Sequence, residues 1–194
     1  LKSKIELNII KPTIQGLKKD NIPFVGFIFF GLIIVKEDPK VIEYNVRMGD
    51  PETEVVFPRI KSDFLELIIA LDSGNLNSFD LQIDNEPAAT IVLVSGGYPE
   101  KYEINKQIFG LENISKTDSY VFHAGAKIEN KVLKTSGGRV LAITSKAKSI
   151  DLALKKSYNS IMTKGARVIA ISDFINKHII SSYKIKQNNL ITIP

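Results

Sequence analysis

Glu43, Asn45 and Arg47 stand two residues apart in the run Val41-Ile42-Glu43-Tyr44-Asn45-Val46-Arg47, which leads straight into a charged turn, Met48-Gly49-Asp50-Pro51-Glu52. In a β-strand, side chains two apart share a face. The alternation therefore predicts a polar row of Glu43, Asn45 and Arg47 on one side and a packed row of Ile42, Tyr44 and Val46 on the other. A carboxylate beside an amide oxygen offers hard ligands of the kind Mg²⁺ takes, and a neighbouring guanidinium can hold a phosphate or a carboxylate. Metal and anion would then meet at one edge of a strand. The plainer alternative is an ordinary strand and turn with solvated charges.

Such a row needs elements that hold it still. Residues 24–35 form a β-rich run with Gly26 and Gly31 inside it, and Glu37-Asp38-Pro39-Lys40 reads as the turn joining it to the strand of Glu43, so the two form a hairpin. A glycine within a strand marks a bulge or the close approach of another backbone, or else merely weakens the strand. Upstream, Ile5, Leu7, Ile9, Ile10, Ile14 and Leu17 carry a mostly helical spacing that Pro12 should kink or restart, ending near Asp20-Asn21. Downstream, residues 54–57 begin a helical segment, Pro58 interrupts it, and residues 62–71 make an apolar helix with Ser62 as N-cap and Gly74 as stop. This helix is expected to pack beneath the hairpin. Arg59 and Lys61 at its start read as a solvated helix end rather than a phosphate contact.

A second unit opens near residue 85. Residues 88–94 and 120–125 read as strands, residues 127–134 as a hairpin turning at Glu129-Asn130, residues 140–144 as a further strand, and Ser149 caps a helix from Ile150 onward. Two similar corners, Ser95-Gly96-Gly97 and Ser136-Gly137-Gly138, are too short to be a repeat. His123 sits beside a glycine corner as either a hydrogen-bonded structural histidine or a substrate contact. Arg139, after two glycines, either grips a phosphate with the help of nearby backbone amides or forms a surface salt bridge.

The composition bounds the rest. A chain of 194 residues suits one domain or two small ones with a real core. Cysteine is absent, which excludes disulfides, thiolate metal sites and a cysteine nucleophile and agrees with a reducing, cytoplasmic setting. No window approaches a membrane-spanning length of apolar residues, no secretory signal is visible, and the lack of an initiator Met suggests a fragment. The net charge of +5 is uneven: residues 155–194 carry seven Lys and Arg against one acid, Asp173, while residues 1–154 balance to −1. A basic end can touch nucleic acid or an anionic membrane. Here the lysines are interspersed with apolar helix positions and no aromatic stacking pattern accompanies them, so neither partner is expected.

The residues also carry a resemblance. Glu43-Tyr44-Asn45-Val46-Arg47-Met48-Gly49-Asp50-Pro51-Glu52-Thr53 resembles the signature of the phosphoribosylamine–glycine ligase (glycinamide ribonucleotide synthetase) family, ATP-grasp enzymes of purine synthesis. Ser95-Gly96-Gly97-Tyr98-Pro99, Phe122-His123-Ala124-Gly125 and Ser136-Gly137-Gly138-Arg139-Val140 are similar, in order and spacing, to the C-terminal domain of that family. The resemblance implies an α+β fold: the second half of an ATP-grasp domain over residues 1–84, then a small α+β C-terminal domain over residues 85–155. It further implies ATP as co-substrate with Mg²⁺ (or Mn²⁺), and glycine and phosphoribosylamine as small-molecule substrates. In that reaction glycine's carboxylate takes a phosphoryl group from ATP, and the amine of phosphoribosylamine displaces phosphate from the resulting acyl phosphate. Glu43 and Asn45 would ligate the metal on the ATP phosphates, and Arg47 would lie near the transferred phosphoryl group or the substrate phosphate. Asp50 and Glu52 would orient the substrate amine or the metal shell, with helix capping as the alternative for Asp50. The other ATP-grasp subdomain, the N-terminal half of the ligase, is not in the sequence, so the chain alone is expected to be catalytically silent.

The end of the chain departs from that pattern. Residues 158–175 resemble a family 4 (GT-B) glycosyltransferase, and Ile191-Thr192-Ile193-Pro194 resembles the strand that follows there, so the chain is expected to be chimeric, joined near residues 155–160. Residues 156–194 are expected to form a βαβ tail: a strand over 167–171, a helix capped by Ser172 or Asp173 and running to Tyr183, and a strand over 190–193. His178 falls on that helix and reads as solvated or partly packed. The alternatives to a ligase fragment are a non-catalytic module with a basic tail for nucleic acid or membrane, and a glycosyltransferase fragment.

Overall fold

The computed structural model describes residues 1–114, 119–162, 168–170 and 190–192. Helices and small, mostly antiparallel sheets make up two compact units, residues 1–53 with 60–83 and residues 54–59 with 84–194. Among the described residues no helix is long and apolar enough to cross a membrane.

The first unit begins with a helix that Pro12 reshapes without ending. Helix α1 (Lys2–Ile5) passes into a π-helical stretch (Glu6–Ile10) and then into α2 (Lys11–Lys19), with right-handed helical backbone at every junction. Proline has no N–H for the carbonyl four residues back, and its ring would strike that carbonyl. A wide turn just before Pro12 absorbs the misfit: the Lys11 amide donates to the Glu6 carbonyl, and Thr13 Oγ1 donates to the Ile9 carbonyl at 2.7 Å.

The hairpin that follows is shorter and turns earlier than the sequence suggests. Strand β1 (Phe29–Val35) pairs antiparallel with β2 (Asp38–Asn45), leaving residues 24–28 outside the strand. Lys36 and Glu37, both with positive φ (48° and 66°), make the turn, so Asp38, Pro39 and Lys40 belong to the strand. Gly31 faces Glu43 and Leu32 faces Val41, which leaves Ile42 as the extra residue of a β-bulge. The glycine thus marks both a bulge and a close approach. The apolar row is not packed as expected: Ile42, Tyr44 and Val46 are 66%, 53% and 72% exposed. Phe30 meets Tyr44 edge-on, with ring centroids 5.4 Å apart.

Helices α3 (Thr53–Val56) and α4 (Phe64–Asp72) follow, with a 3-10 turn (Phe57–Arg59) between them. The N-cap of α4 is Asp63, one residue later than expected: its Oδ1 accepts from the amides of Leu65 (2.7 Å) and Glu66 (3.2 Å). Ser62 instead ties a loop, its hydroxyl donating to the Asp80 carbonyl and accepting from the Gln82 amide at 2.8 Å. Only Leu67 and Ala70 of α4 are buried, while Leu65 and Ile69 remain exposed, so much of the helix's apolar surface stays open.

The second unit holds the better core. Strands β3 (Ala88–Val94), β4 (Ser119–His123) and β7 (Arg139–Lys146) form an antiparallel sheet with β7 in the centre. β7 is buried from Val140 to Ser145 because both of its faces are covered. Ile114, from the short helix α5 (Leu111–Ile114), joins Val140, Leu141 and Ile143 in the core cluster. Helix α6 (Ile150–Met162), with the Ser149 hydroxyl accepting from the Leu152 amide at 3.3 Å, lies against β3 and β7 and buries Ala153, Ser157 and Ser160. Those positions repeat at helical spacing and are small, so the helix sits close to the sheet. Ser157 donates to the Ala89 carbonyl (2.9 Å), and a hydroxyl chain runs Ser145 to Ser119 (2.8 Å) to Ser160 (2.9 Å). A separate hairpin pairs β5 (Ala126–Glu129) with β6 (Val132–Thr135) and turns through Asn130 and Lys131, again one residue from the expected place. β8 (Val168–Ala170) and β9 (Leu190–Thr192) pair in parallel. The helix expected between them, and His178 with it, lies outside the described residues, as does most of the basic tail.

Candidate functional site

Strand β2 and the turn after it carry Glu43, Asn45 and Arg47, singled out by spacing, and Asp50 and Glu52, which the resemblance added, and the structure brings all five together. Glu43, Asn45, Arg47, Asp50 and Glu52 line one recess of about 340 Å³, with Phe29, Gly31, Leu32, Ile42 and Gly49 completing its wall. The strand places Glu43 and Asn45 on the face shared by their cross-strand partners Gly31 and Phe29. Arg47 lies past the end of β2, in a bend, where its Nη1 donates to the Met48 carbonyl at 2.9 Å. Ile42 lines the recess beside Glu43 rather than pointing the opposite way, because the bulge interrupts the two-residue alternation at that position.

Within the recess, the Asn45 side-chain amide donates to Glu43 Oε1 at 3.1 Å. That bond leaves Glu43 Oε2 and Asn45 Oδ1 as the oxygens of the pair not joined to each other. Gly49 is buried, and a Cβ there would run into Glu52 Oε2 and come within 3.1 Å of Phe29 Cδ2, so the Glu52 carboxylate lies folded over the glycine. The turn is closed behind them by the Gly49 carbonyl, which accepts from the Thr53 amide (3.0 Å) and from the Thr53 hydroxyl. The peptide bond between Asp50 and Pro51 is cis.

The donor set suits a hard divalent cation only as part of a shell. Among the described residues no three His, Cys, Asp or Glu side chains converge as a metal cage. One carboxylate and one amide oxygen are the protein share expected where phosphate oxygens and water supply the rest. Three carboxylates and one guanidinium around a single recess also give it both signs of charge, as recognition of a phosphate beside an amine would need.

Two other predicted residues belong to the second unit. His123 is exposed at the end of β4, opposite Leu141. Arg139 opens β7 opposite Val94, where the ladder shifts register. The glycine corner beside Arg139 uses its backbone groups internally: the Gly137 and Ser136 amides donate to the Gly125 carbonyl (3.2 and 2.7 Å), while the Ser95 amide and hydroxyl donate to the Gly138 and Gly137 carbonyls (2.7 and 2.8 Å). Anion cradling by the Ser136 and Gly137 amides is therefore closed off. Sequence reasoning did not anticipate Gly31 and Gly49 as parts of the site, because their role is visible only once the glutamates lie across them.

Comparison with known proteins agrees in both units. Residues 1–53 match the ATP-grasp (A) domain of phosphoribosylglycinamide synthetase, and residues 88–166 match its C domain. A bifunctional purine biosynthetic protein of Pichia angusta is 41% identical over 100% of this chain and 24% of its own length. Phosphoribosylamine–glycine ligases of Fusobacterium nucleatum and Clostridium acetobutylicum are 40% and 44% identical, over 83% and 80% of this chain and 38% and 37% of theirs. The crystal structure of phosphoribosylamine–glycine ligase from Thermotoga maritima superimposes with a TM-score of 0.63 at 31% identity, covering 81% of this chain and 38% of that one. N5-carboxyaminoimidazole ribonucleotide synthetase from the same organism, at 18% identity and a TM-score of 0.52, shares the fold.

The first unit is thus of the ATP-grasp class. With its A and C domain matches in the family's order, the chain belongs to the phosphoribosylglycinamide synthetase family, whose members are ATP-dependent ligases. It spans well under half the length of these relatives. The expected join near residues 155–160 finds no support, since the C-domain match runs on to residue 166 and the Pichia angusta protein aligns with the whole chain.

Proposed function

We propose that this chain is part of a phosphoribosylamine–glycine ligase of purine synthesis, acting in the cytoplasm, and that its recess forms one wall of the ATP site. The observation that carries this is the gathering of Glu43, Asn45, Arg47, Asp50 and Glu52 around a single recess in the ATP-grasp unit. Glu43 and Asn45 would hold Mg²⁺ (or Mn²⁺), which when bound neutralises charge on the ATP phosphates. Arg47 holds the phosphoryl group in transfer or the substrate phosphate, because a planar guanidinium matches phosphate oxygens with two donors at once. Asp50 and Glu52 orient the amine of phosphoribosylamine toward the acyl phosphate of glycine. This arrangement works by positioning and electrostatics. The remaining walls of such a site would be built by parts of the ligase outside the 38% of its length that this chain matches.

Titration of the chain with Mn²⁺ and ADP, followed by the paramagnetic signal of free Mn²⁺, tests the reading. Wild type should bind the metal more tightly with nucleotide present, and Glu43→Ala and Asn45→Ala should each weaken that binding by on the order of tenfold or more. Nucleotide-independent binding, or full binding by both variants, would overturn it.

A further inference from the structure

We propose that Gly31 is a positioning residue for Glu43: the missing side chain on β1 is what allows the Glu43 carboxylate to lie where Asn45 meets it. The inference rests on the reading of Glu43 as a metal ligand for its functional meaning, but its geometry stands by itself. Gly31 faces Glu43 across the bulge, and a Cβ built on Gly31 would come 2.7 Å from Glu43 Cγ, closer than real side-chain atoms pack. The Glu43 Cδ and backbone nitrogen would be 3.6 Å away, an ordinary contact, so the conflict is with the side chain and not with the strand. Gly31 is not among the glycines with positive φ, and alanine can take its backbone without strain.

Alanine at this position therefore has one thing to push, the Glu43 side chain. Swinging that side chain aside separates Oε1 from the Asn45 amide, now 3.1 Å away, and moves both proposed ligands out of register. Bulges elsewhere re-aim side chains in the same way, here with a glycine supplying the room. A merely structural glycine would behave differently: replacing it would change stability and leave the carboxylate in place.

The experiment uses the full chain with two readouts. In nitrogen-15 spectra, Gly31→Ala should move the Asn45 side-chain amide signals toward the positions they take in Glu43→Ala, with the melting temperature unchanged or raised. Asn45 signals left at their wild-type positions would overturn the proposal. In the Mn²⁺–ADP titration, Gly31→Ala should weaken binding by on the order of tenfold in the wild-type background and have no effect beside Glu43→Ala. Equal weakening in both backgrounds would also overturn it. If wild type shows no nucleotide-dependent metal binding, the functional reading fails while the spectra still decide whether Gly31 positions Glu43.

Discussion

At the scale of single residues, several of the strongest local effects lie away from the recess. Asp63 caps α4 with two accepted amide bonds, so Asp63→Ala should cost about 1 kcal/mol in urea unfolding, whereas an alanine at the expected cap, Ser62, leaves those two bonds intact. Both residues are good caps by type, and nothing in their order distinguishes them; the loop decides, because it claims the Ser62 hydroxyl through Asp80 and Gln82. Lys146 bonds Asp84 at 2.8 Å in a mostly buried setting, and that hydrogen bond raises its pKa above the ordinary 10.5. A raised lysine pKa means that the folded form holds the proton more tightly, so the stabilisation is fully present below pH 10.5 and lost as the pH climbs through the folded value. The unfolding free energy of wild type should exceed that of Lys146→Met by roughly 1–2 kcal/mol from pH 7 to 9, a gap that closes as the pH rises past the folded-state pKa of the lysine.

At the scale of elements, the strands of the second unit were legible because long apolar runs bounded by glycines leave few alternatives. The turns were less so. Lys36-Glu37 carries no glycine or asparagine for its positive φ values, while Asp38-Pro39 imitates a turn and sits in the strand. The burial of α6 was likewise hidden, since its inner stripe of Ala153, Ser157 and Ser160 looks polar in sequence, and only the hydroxyl partners on the sheet explain it. Ser157 is fully buried, so Ser157→Leu should overpack the contact and destabilise the chain by about 1–3 kcal/mol, while Ile143→Ala in the 0% exposed centre of β7 should cost about 2–5 kcal/mol, both measured by denaturant midpoint.

At the scale of the whole molecule, burial is divided unequally. In the first unit the buried apolar side chains are Ile9, Leu67 and Ala70, while Ile33, Ile34, Ile42, Tyr44 and Val46 in and beside the hairpin are exposed. The second unit has a continuous core around β7. Local opening free energies follow buried contacts, so backbone amides of β1 and β2 should exchange with deuterium well before those of β7. Equal protection in both would contradict this difference. The alternation along β2 put Glu43 and Asn45 on one face, but it showed neither the bulge that turns Ile42 into the same recess nor what covers Tyr44 and Val46. Pattern fixes which side chains share a face; burial depends on what packs there.

The wide turn before Pro12 also sets an angular phase. Each residue of an α-helix advances about 100° around the axis and 1.5 Å along it, so the extra residue in the π-helical stretch rotates everything before it relative to α2. That rotation aims Lys4 at the hairpin turn, where its ammonium reaches Asp38 Oδ1 at 2.7 Å and the Glu37 carbonyl at 3.2 Å. Were the widened turn to close into a regular α-helical one with every residue kept, the first residues would turn by about a quarter of a revolution relative to α2 and Lys4 would be carried away from the hairpin.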